Sequence, residues 1–158
     1  MRVAYFAFSE YFPSYDAGYT HTIEIVNALQ NYGLDVTLFG KKGKKDRIFR
    51  DLKFVDVDFP TGFAQQLSTK GVKAPKKYFS FKKVLANFDL IHERFSAGIN
   101  PYSYMLIKST RLPRVLELNF PVVSHSIPWF LAIMNSIEKK LYIMQATASK
   151  AIVTQTET

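Results

Sequence analysis

No cysteine occurs in the 158 residues, which excludes a disulfide framework and a cysteine-ligated zinc site and suits a reducing compartment. Histidine is scarce. His21, His92 and His125 are the three in the chain, and they lie far apart in sequence with no close His or carboxylate spacing, so no metal centre is expected. Long apolar runs are also missing. The opening "MRVAYFAF" meets Ser9 and Glu10 too early for a signal peptide. The stretch "FPVVSHSIPWFLAIM" is broken by Pro121, Ser124, His125 and Pro128 and falls short of a bilayer span. The chain therefore reads as soluble and cytoplasmic. It has neither internal repeats nor low-complexity segments.

Two glycine fingerprints are absent as well. A dinucleotide-binding domain needs G-x-G-x-x-G at the end of its first strand, because the pyrophosphate approaches the backbone at a tight turn. Here the nearest glycine is Gly18, about ten residues after the "RVAYFAF" strand. The P-loop pattern G-x-x-x-x-G-K-[ST] is missing too. NAD, FAD and P-loop nucleotide chemistry are disfavoured, and no cofactor is implied.

What is present is ample apolar material, 47% hydrophobic and 15% aromatic, enough for one core and one domain over residues 1–158. "RVAYFAF" (Arg2 to Phe8) is nearly all apolar, as a central parallel strand covered on both faces should be. A helix is expected from Thr20 to Tyr32, with Ile25, Ala28, Leu29 and Tyr32 as its apolar stripe, widened by Val26, and with Gly33 as its C-cap. Strands are then expected at "DVTLF" (Asp35 to Phe39) and "FVDVDF" (Phe54 to Phe59). A loop follows from Pro60 to Pro75, then a helix through "YFSFKKVLANF" and a strand at "DLIHERF". Pro101 opens a short helix, "RVLEL" (Arg114 to Leu118) is a fifth strand, and Ile137, Leu141, Met144 and Ala148 mark the core stripe of a longer helix. "AIVT" (Ala151 to Thr154) is the sixth strand. Alternating strands and helices at this spacing specify an α/β, Rossmann-like, doubly wound and mostly parallel sheet of about six strands with helices on both faces. Because "TQTET" follows directly on a buried-looking strand whose far face needs cover, the chain is expected to be the first half of a larger protein.

The segment from Ser9 to Tyr19 occupies the place beside the first strand where an open parallel sheet binds its ligand. It leads to a helix N-terminus, whose free N–H groups and dipole favour an anion, although Gly18 also serves simply to turn the chain. The arrangement "YFPSYDAG", then His21, then a helix ending "NALQNYGLDVTLF", resembles the start of GT-B-fold retaining glycosyltransferases of family 4. "FDLIHERFS" (Phe88 to Ser96) is similar to that family's D-V-I-x-x-R strand. "LPRVLELNFP" (Leu112 to Pro121) is similar to its G-x-P-x-V strand, and "EKKLYIMQATASKAIVTQTET" (Glu138 to Thr158) to the segment that closes the N-terminal domain. Ala17-Gly18 stands where the family has a glycine pair, and Asn119 where many members have a histidine.

The resemblance implies the acceptor-side N-terminal domain of a glycosyltransferase, with the donor-binding domain and its glutamate pair outside this chain. It implies transfer from a nucleotide-sugar donor with retention, usually without metal, to a sugar, lipid-linked or other acceptor. Gly18 and Tyr19 are expected to present backbone N–H groups, and His21 to contact acceptor or sugar. Glu93 and Arg94, at the end of the fourth strand, are expected at the crevice edge or as a structural ion pair beneath the loop. Asn119 is a cleft residue or a cap of the following turn. His92, inside the strand pattern, is expected to be a satisfied core or interface histidine, and His125 and Trp129 line the cleft or pack. No residue is assigned as a nucleophile.

Charge is distributed unevenly. The window from Lys41 to Lys83 holds 13 of the 21 basic residues and 4 of the 13 acidic ones, so it carries the whole excess behind the net charge of +8. Its "KAPKKYFSFKK" stretch interleaves Lys73, Lys76, Lys77, Lys82 and Lys83 with aromatic residues, a composition that attracts anionic membrane surfaces. Nucleic acid, drawn by the same field, is the less expected partner. A non-catalytic α/β module binding anionic lipid or nucleic acid is the alternative to the enzyme, and a solvated basic face with no partner is the third outcome. If the window serves a membrane-proximal acceptor, the protein should bind anionic vesicles better than neutral ones, and salt should weaken that binding steeply. Replacing Lys73, Lys76, Lys77, Lys82 and Lys83 by Gln should weaken it by several kcal/mol in the additive limit, at about 1 kcal/mol per lysine. A preference for duplex DNA in the same buffer would support the module instead.

Overall fold

The computed structural model describes residues 1–12, 17–43, 52–57, 81–94, 110–118, 143, 146–147 and 149–154. The expected loop from Pro60 to Pro75, the helix opened by Pro101, Asn119, His125, Trp129, Lys73, Lys76 and Lys77 lie outside these residues. The described residues form six strands, β1 (Arg2–Phe12), β2 (Asp35–Lys42), β3 (Lys53–Asp56), β4 (Leu90–Arg94), β5 (Arg114–Leu118) and β6 (Ala151–Thr154), and one long helix, α1 (Ala17–Asn31). All strand pairs are parallel, in the order β3-β2-β1-β4-β5-β6. The order reverses between β1 and β4, which makes that pair the topological switch point of a Rossmann-like sheet.

Alternation along β1 divides the core. Val3, Tyr5 and Ala7 face α1 and pack with Val26, Val36 and Leu38. Ala4 and Phe6 face the other way, with Phe39, Val57, Leu85 and Ile91, and helical residues 81–85 cover that side with Phe81 packed against it. Helices thus lie on both faces, as the all-apolar β1 requires. The second face is an aromatic stack: Phe39 lies 4.6 Å from Phe6, 6.2 Å from Phe81 and 5.6 Å from Phe88 between ring centroids.

Several boundaries move relative to the sequence reading. β1 runs on to Phe12 and α1 begins at Ala17, so the expected Ser9–Tyr19 loop is shorter than the sequence suggests. The extension has a physical basis in the ladder: Ala7 pairs with Gly40 but Tyr11 with Lys41, so three residues of β1 stand opposite none of β2. A bulge of this kind, at the crevice end of the switch-point strand, re-aims the chain without ending the strand. The apolar stripe of α1 is borne out at Ile25, Val26 and Leu29, which pack on the sheet, and not at Ala28 and Tyr32. Thr22 and Val26 are buried with Tyr19, Ile23 and Leu29 around them, whereas Ala28 is exposed and Tyr32 is 86% exposed. Val26 meets the sheet, and Tyr32 lies past the last turn.

Gly33 ends the helix at φ 79°. Its N–H reaches the Gln30 carbonyl at 2.8 Å, and the Leu34 N–H reaches the Leu29 carbonyl at 3.2 Å. These are the two bonds of a Schellman motif, closed by apolar Leu29 and Leu34. β6, expected to be buried, is an edge strand instead, with Ile152 47% and Val153 48% exposed. Ile143, off the expected Ile137–Ala148 stripe, is exposed too.

Phe39 is fully buried among three aromatic rings, so Phe39→Ala should cost about 3–5 kcal/mol. Urea denaturation should show a lower midpoint with an unchanged slope, whereas a loss below 1 kcal/mol would mean that this face is loosely packed.

Candidate functional site at the sheet switch point

A charged residue in a central parallel strand must be compensated, because burial without a partner disfavours the ionised form. β5 contains such a residue in Glu117, 2% exposed. Its Oε2 accepts a hydrogen bond from the Tyr5 hydroxyl at 2.7 Å and lies 3.2 Å from His92 Nε2. Its Oε1 lies 2.9 Å from His21 Nε2. Tyr5 and His92 are register partners on β1 and β4, and their rings sit 4.7 Å apart. Glu117 itself is the register partner of Arg94, whose Nε is 3.8 Å from Oε1. Three elements, β1, β4 and α1, therefore converge on one carboxylate of β5.

Burial by itself pushes the pKa of Glu117 up. Hydrogen bonds from His92 and Tyr5, the charge of His92 when protonated and the bond from His21 together outweigh it, leaving the group at about 2 against an ordinary 4.5. Glu117 is an anion at neutral pH.

Arg94 fastens α1 to the sheet. Its Nη1 donates to the Thr22 hydroxyl at 2.7 Å and to the Gly18 carbonyl. α1 has no acidic residue in its first turn, and Glu117, on the same face of the sheet, brings a negative charge beside His21 near its positive end. The residues beside this helix start, Arg94, Thr22 and His21, are held by charge-assisted bonds and do not depend on loop conformation.

The opposite face carries a second buried charge pair. Glu93 and Arg114 are 2% and 1% exposed, and Arg114 Nη2 donates to Glu93 Oε2. Glu93 and Arg94 are adjacent on β4 and so point to opposite faces. They do not pair with each other, and Glu93 is not open at the crevice edge, because Arg114 takes it on the far side from α1.

The site residues named from sequence thus separate. Gly18, Tyr19, His21 and Arg94 lie together at the start of α1: Gly18 offers its carbonyl to Arg94, and Tyr19 packs on the α1-side core. Asn119 follows β5 in sequence but lies outside the described residues. Lys82 and Lys83 are exposed on helical residues 81–85, while Lys41, at the start of the basic window, is only 6% exposed. Sequence reading missed Glu117, Tyr5, Thr22 and Arg114. A carboxylate inside the otherwise apolar "VLEL" was the available signal for Glu117. His92 is satisfied and mostly buried, as expected. The wide sequence separation of the histidines proved no guide to space, since the topology brings His21 and His92 to one carboxylate. Among the described residues no group of three or more His, Cys, Asp or Glu could hold a metal, and no helix is long and apolar enough to cross a membrane.

The ionisation of Glu117 should be visible in stability. Its folded pKa is depressed, so its contribution is full above about 4.5 and is lost as pH falls through about 2. At pH 7 the wild type should exceed Glu117→Gln by about 3 kcal/mol, the free-energy equivalent of that shift. The gap in chemical denaturation should close as pH falls across that window, whereas a constant gap would mean that the carboxylate is not ionised in the fold.

No protein-family model matches the sequence, and no curated protein matches it. Among solved structures the chain is similar to one titled as UDP-GlcNAc 2-epimerase from Methanocaldococcus jannaschii, with a TM-score of 0.58 and 11% identity, over 99% of this chain and 40% of that one. At that identity the likeness shows the fold alone. The chain spans less than half the length of that neighbour.

Proposed function

We propose that the chain is the acceptor-side half of a glycosyltransferase that moves a sugar from a nucleotide-sugar donor to a hydroxyl acceptor, with retention at the anomeric carbon. The observation that carries the reading is the polar cluster of Glu117, His21 and Arg94 at the switch point. This is where an open parallel sheet takes its ligand, in a fold shared with a protein titled as a nucleotide-sugar enzyme. The resemblance of "YFPSYDAG", "FDLIHERFS" and "LPRVLELNFP" to family 4 supports the same assignment. In this reading the donor nucleotide is held by a domain outside residues 1–158, and the crevice above β1 and β4 receives the acceptor. The start of α1 favours the negative charge that develops on the departing diphosphate. The exposed run Lys82, Lys83 and Val84 suits an acceptor presented at an anionic membrane surface, with the protein cytoplasmic and peripheral to it.

A second reading, epimerisation of a nucleotide sugar, is favoured by the likeness to UDP-GlcNAc 2-epimerase. The two chemistries leave different products. The 158-residue chain given UDP-glucose or UDP-N-acetylglucosamine with octyl glucoside should form no glycoside, because the reacting groups are not assembled in one cleft. The complete gene product should form one, with its anomeric configuration retained. Turnover by the 158-residue chain alone would overturn the division into halves. A 2-epimer of the donor carrying solvent deuterium would select epimerisation.

A further inference from the structure

Two side chains contend for one oxygen of Glu117. His21 Nε2 lies 2.9 Å from Oε1, and Arg94 Nε stands 3.8 Å from the same atom, too far for a hydrogen bond. The other oxygen, Oε2, is taken by the Tyr5 hydroxyl and His92. Arg94 and Glu117 are register partners on adjacent strands and share the α1 face, so the guanidinium is already placed to take Oε1. What it holds instead is the helix. Its Nη1 donates to the Thr22 hydroxyl at 2.7 Å and to the Gly18 carbonyl, both in the first turns of α1.

Energetics make these two arrangements alternatives. The Glu117 side chain is 3% exposed and that of Arg94 10%, so water is a poor substitute for a missing partner. A buried carboxylate oxygen that loses its donor costs more than an ordinary hydrogen bond contributes. A charge-assisted arginine bond is the strongest replacement beside it. The guanidinium is flat and rigid, and closing the 3.8 Å gap to hydrogen-bond length carries the whole fork about 1 Å toward β5. A 2.7 Å bond to Thr22 lengthened by that amount is no longer a hydrogen bond. With the imidazole on Oε1 the fork stays on α1, and without it the fork goes to the carboxylate.

We infer that His21 and Arg94 compete for Oε1 of Glu117, and that the start of α1 is a strap, held to the sheet by Arg94 only while His21 occupies the carboxylate. Strapped, Gly18 and Thr22 are tied to β4, and the side of the switch-point crevice next to α1 is fixed. Released, the first turn loses that tie and frays, and the crevice changes shape there. His21 is the member of the trio most open to solvent, at 28%, so the release point faces outward. The device is independent of which sugar chemistry the crevice serves.

Both ends of the competition can be read by NMR in the ¹⁵N-labelled 158-residue chain. In His21→Ala, the Arg94 Nε–H signal should move to a carboxylate-bonded position. Amide exchange at Thr22 and Ile23 should quicken about tenfold or more, while Val26 and Leu29 keep their wild-type rates. His21→Gln, whose side-chain amide can still donate to Oε1, should restore the wild-type pattern. Thr22→Val cuts the strap at its other end and leaves His21 and Glu117 in place, so it reads the competition even where His21→Ala folds poorly. There Arg94 should again shift to Oε1, and the His21 ring signals should move although His21 itself is unchanged. Wild-type Arg94 and Thr22 signals in a folded His21→Ala, or wild-type Arg94 and His21 signals in Thr22→Val, would overturn the inference. Equal acceleration along the whole of α1 in both variants, Val26 included, would overturn it too, by making these residues general packing contacts.

Discussion

The ionised carboxylate of Glu117 is the constraint around which this half of the sheet is arranged. An anion almost closed to water is tolerated only with several donors on it. Here they come from β1, β4 and α1, and a guanidinium adds its charge from the register-partner position on β4. None of these partners is near Glu117 in sequence, so the carboxylate is satisfied only when β1, β4, β5 and α1 are assembled in register. A register slip of one residue on β5 would turn Glu117 to the opposite face, toward Phe6 and Ile91, with no donor to meet it. The polar cluster therefore enforces the pairing that the apolar alternation proposes.

The same logic explains the division of charge between the faces. Adjacent Glu93 and Arg94 cannot share a side of β4. Arg94 goes to the α1 side, where it balances Glu117 and grips the first turns of the helix. Glu93 goes to the other side and needs a cation of its own, which β5 supplies through Arg114. The exposed ends are tied more lightly. Asp89 takes the Arg2 backbone N–H at 2.7 Å, and that bond, working against the small cost of burial and helped by the charge of Arg2, lowers its pKa. Lys53 bridges to Asp35 at 2.7 Å in solvent, where such pairs contribute little.

The sequence made the architecture legible because strand burial leaves a strong mark. Near-continuous apolar runs at Arg2 to Phe8 and Asp35 to Phe39, alternating with helical periodicity, specified a parallel doubly wound sheet, and Gly33 specified the end of α1. The start of α1 was less legible. A bulge is set by hydrogen bonding to β2 and has no side-chain signature in the Phe8 to Glu10 stretch. The helix face was legible at Ile25, Val26 and Leu29 but not at its margin: Ala28 and Tyr32 satisfy the period, and how wide a stripe meets the sheet is decided by the docking on Val3, Tyr5 and Val36. Within the candidate site, Arg94 was singled out by its place at a strand end and His21 by the family resemblance. Glu117 was not, because a strand-interior carboxylate acquires meaning only from partners as many as 112 positions away.

Buried ionic clusters are poor value as stabilisers. Replacing one by apolar residues of similar volume is often neutral or favourable, while removing a single partner costs about 3–5 kcal/mol. Two such clusters on one small sheet therefore call for separate explanations. The Glu93–Arg114 pair is sealed on both partners and lies on the face away from α1, so it is suited to fixing the packing of β4 on β5 and to nothing that requires contact with solute. The Glu117 cluster differs in one respect: His21 carries its influence outward to a partly exposed ring at the start of α1. Had the cluster served packing alone, a shorter apolar residue at position 21 and an apolar one at position 117 would have met the need without exposing a titratable group at the switch point. The buried charge is concentrated where an open α/β sheet takes its ligands, and the cluster ends in a partly exposed side chain.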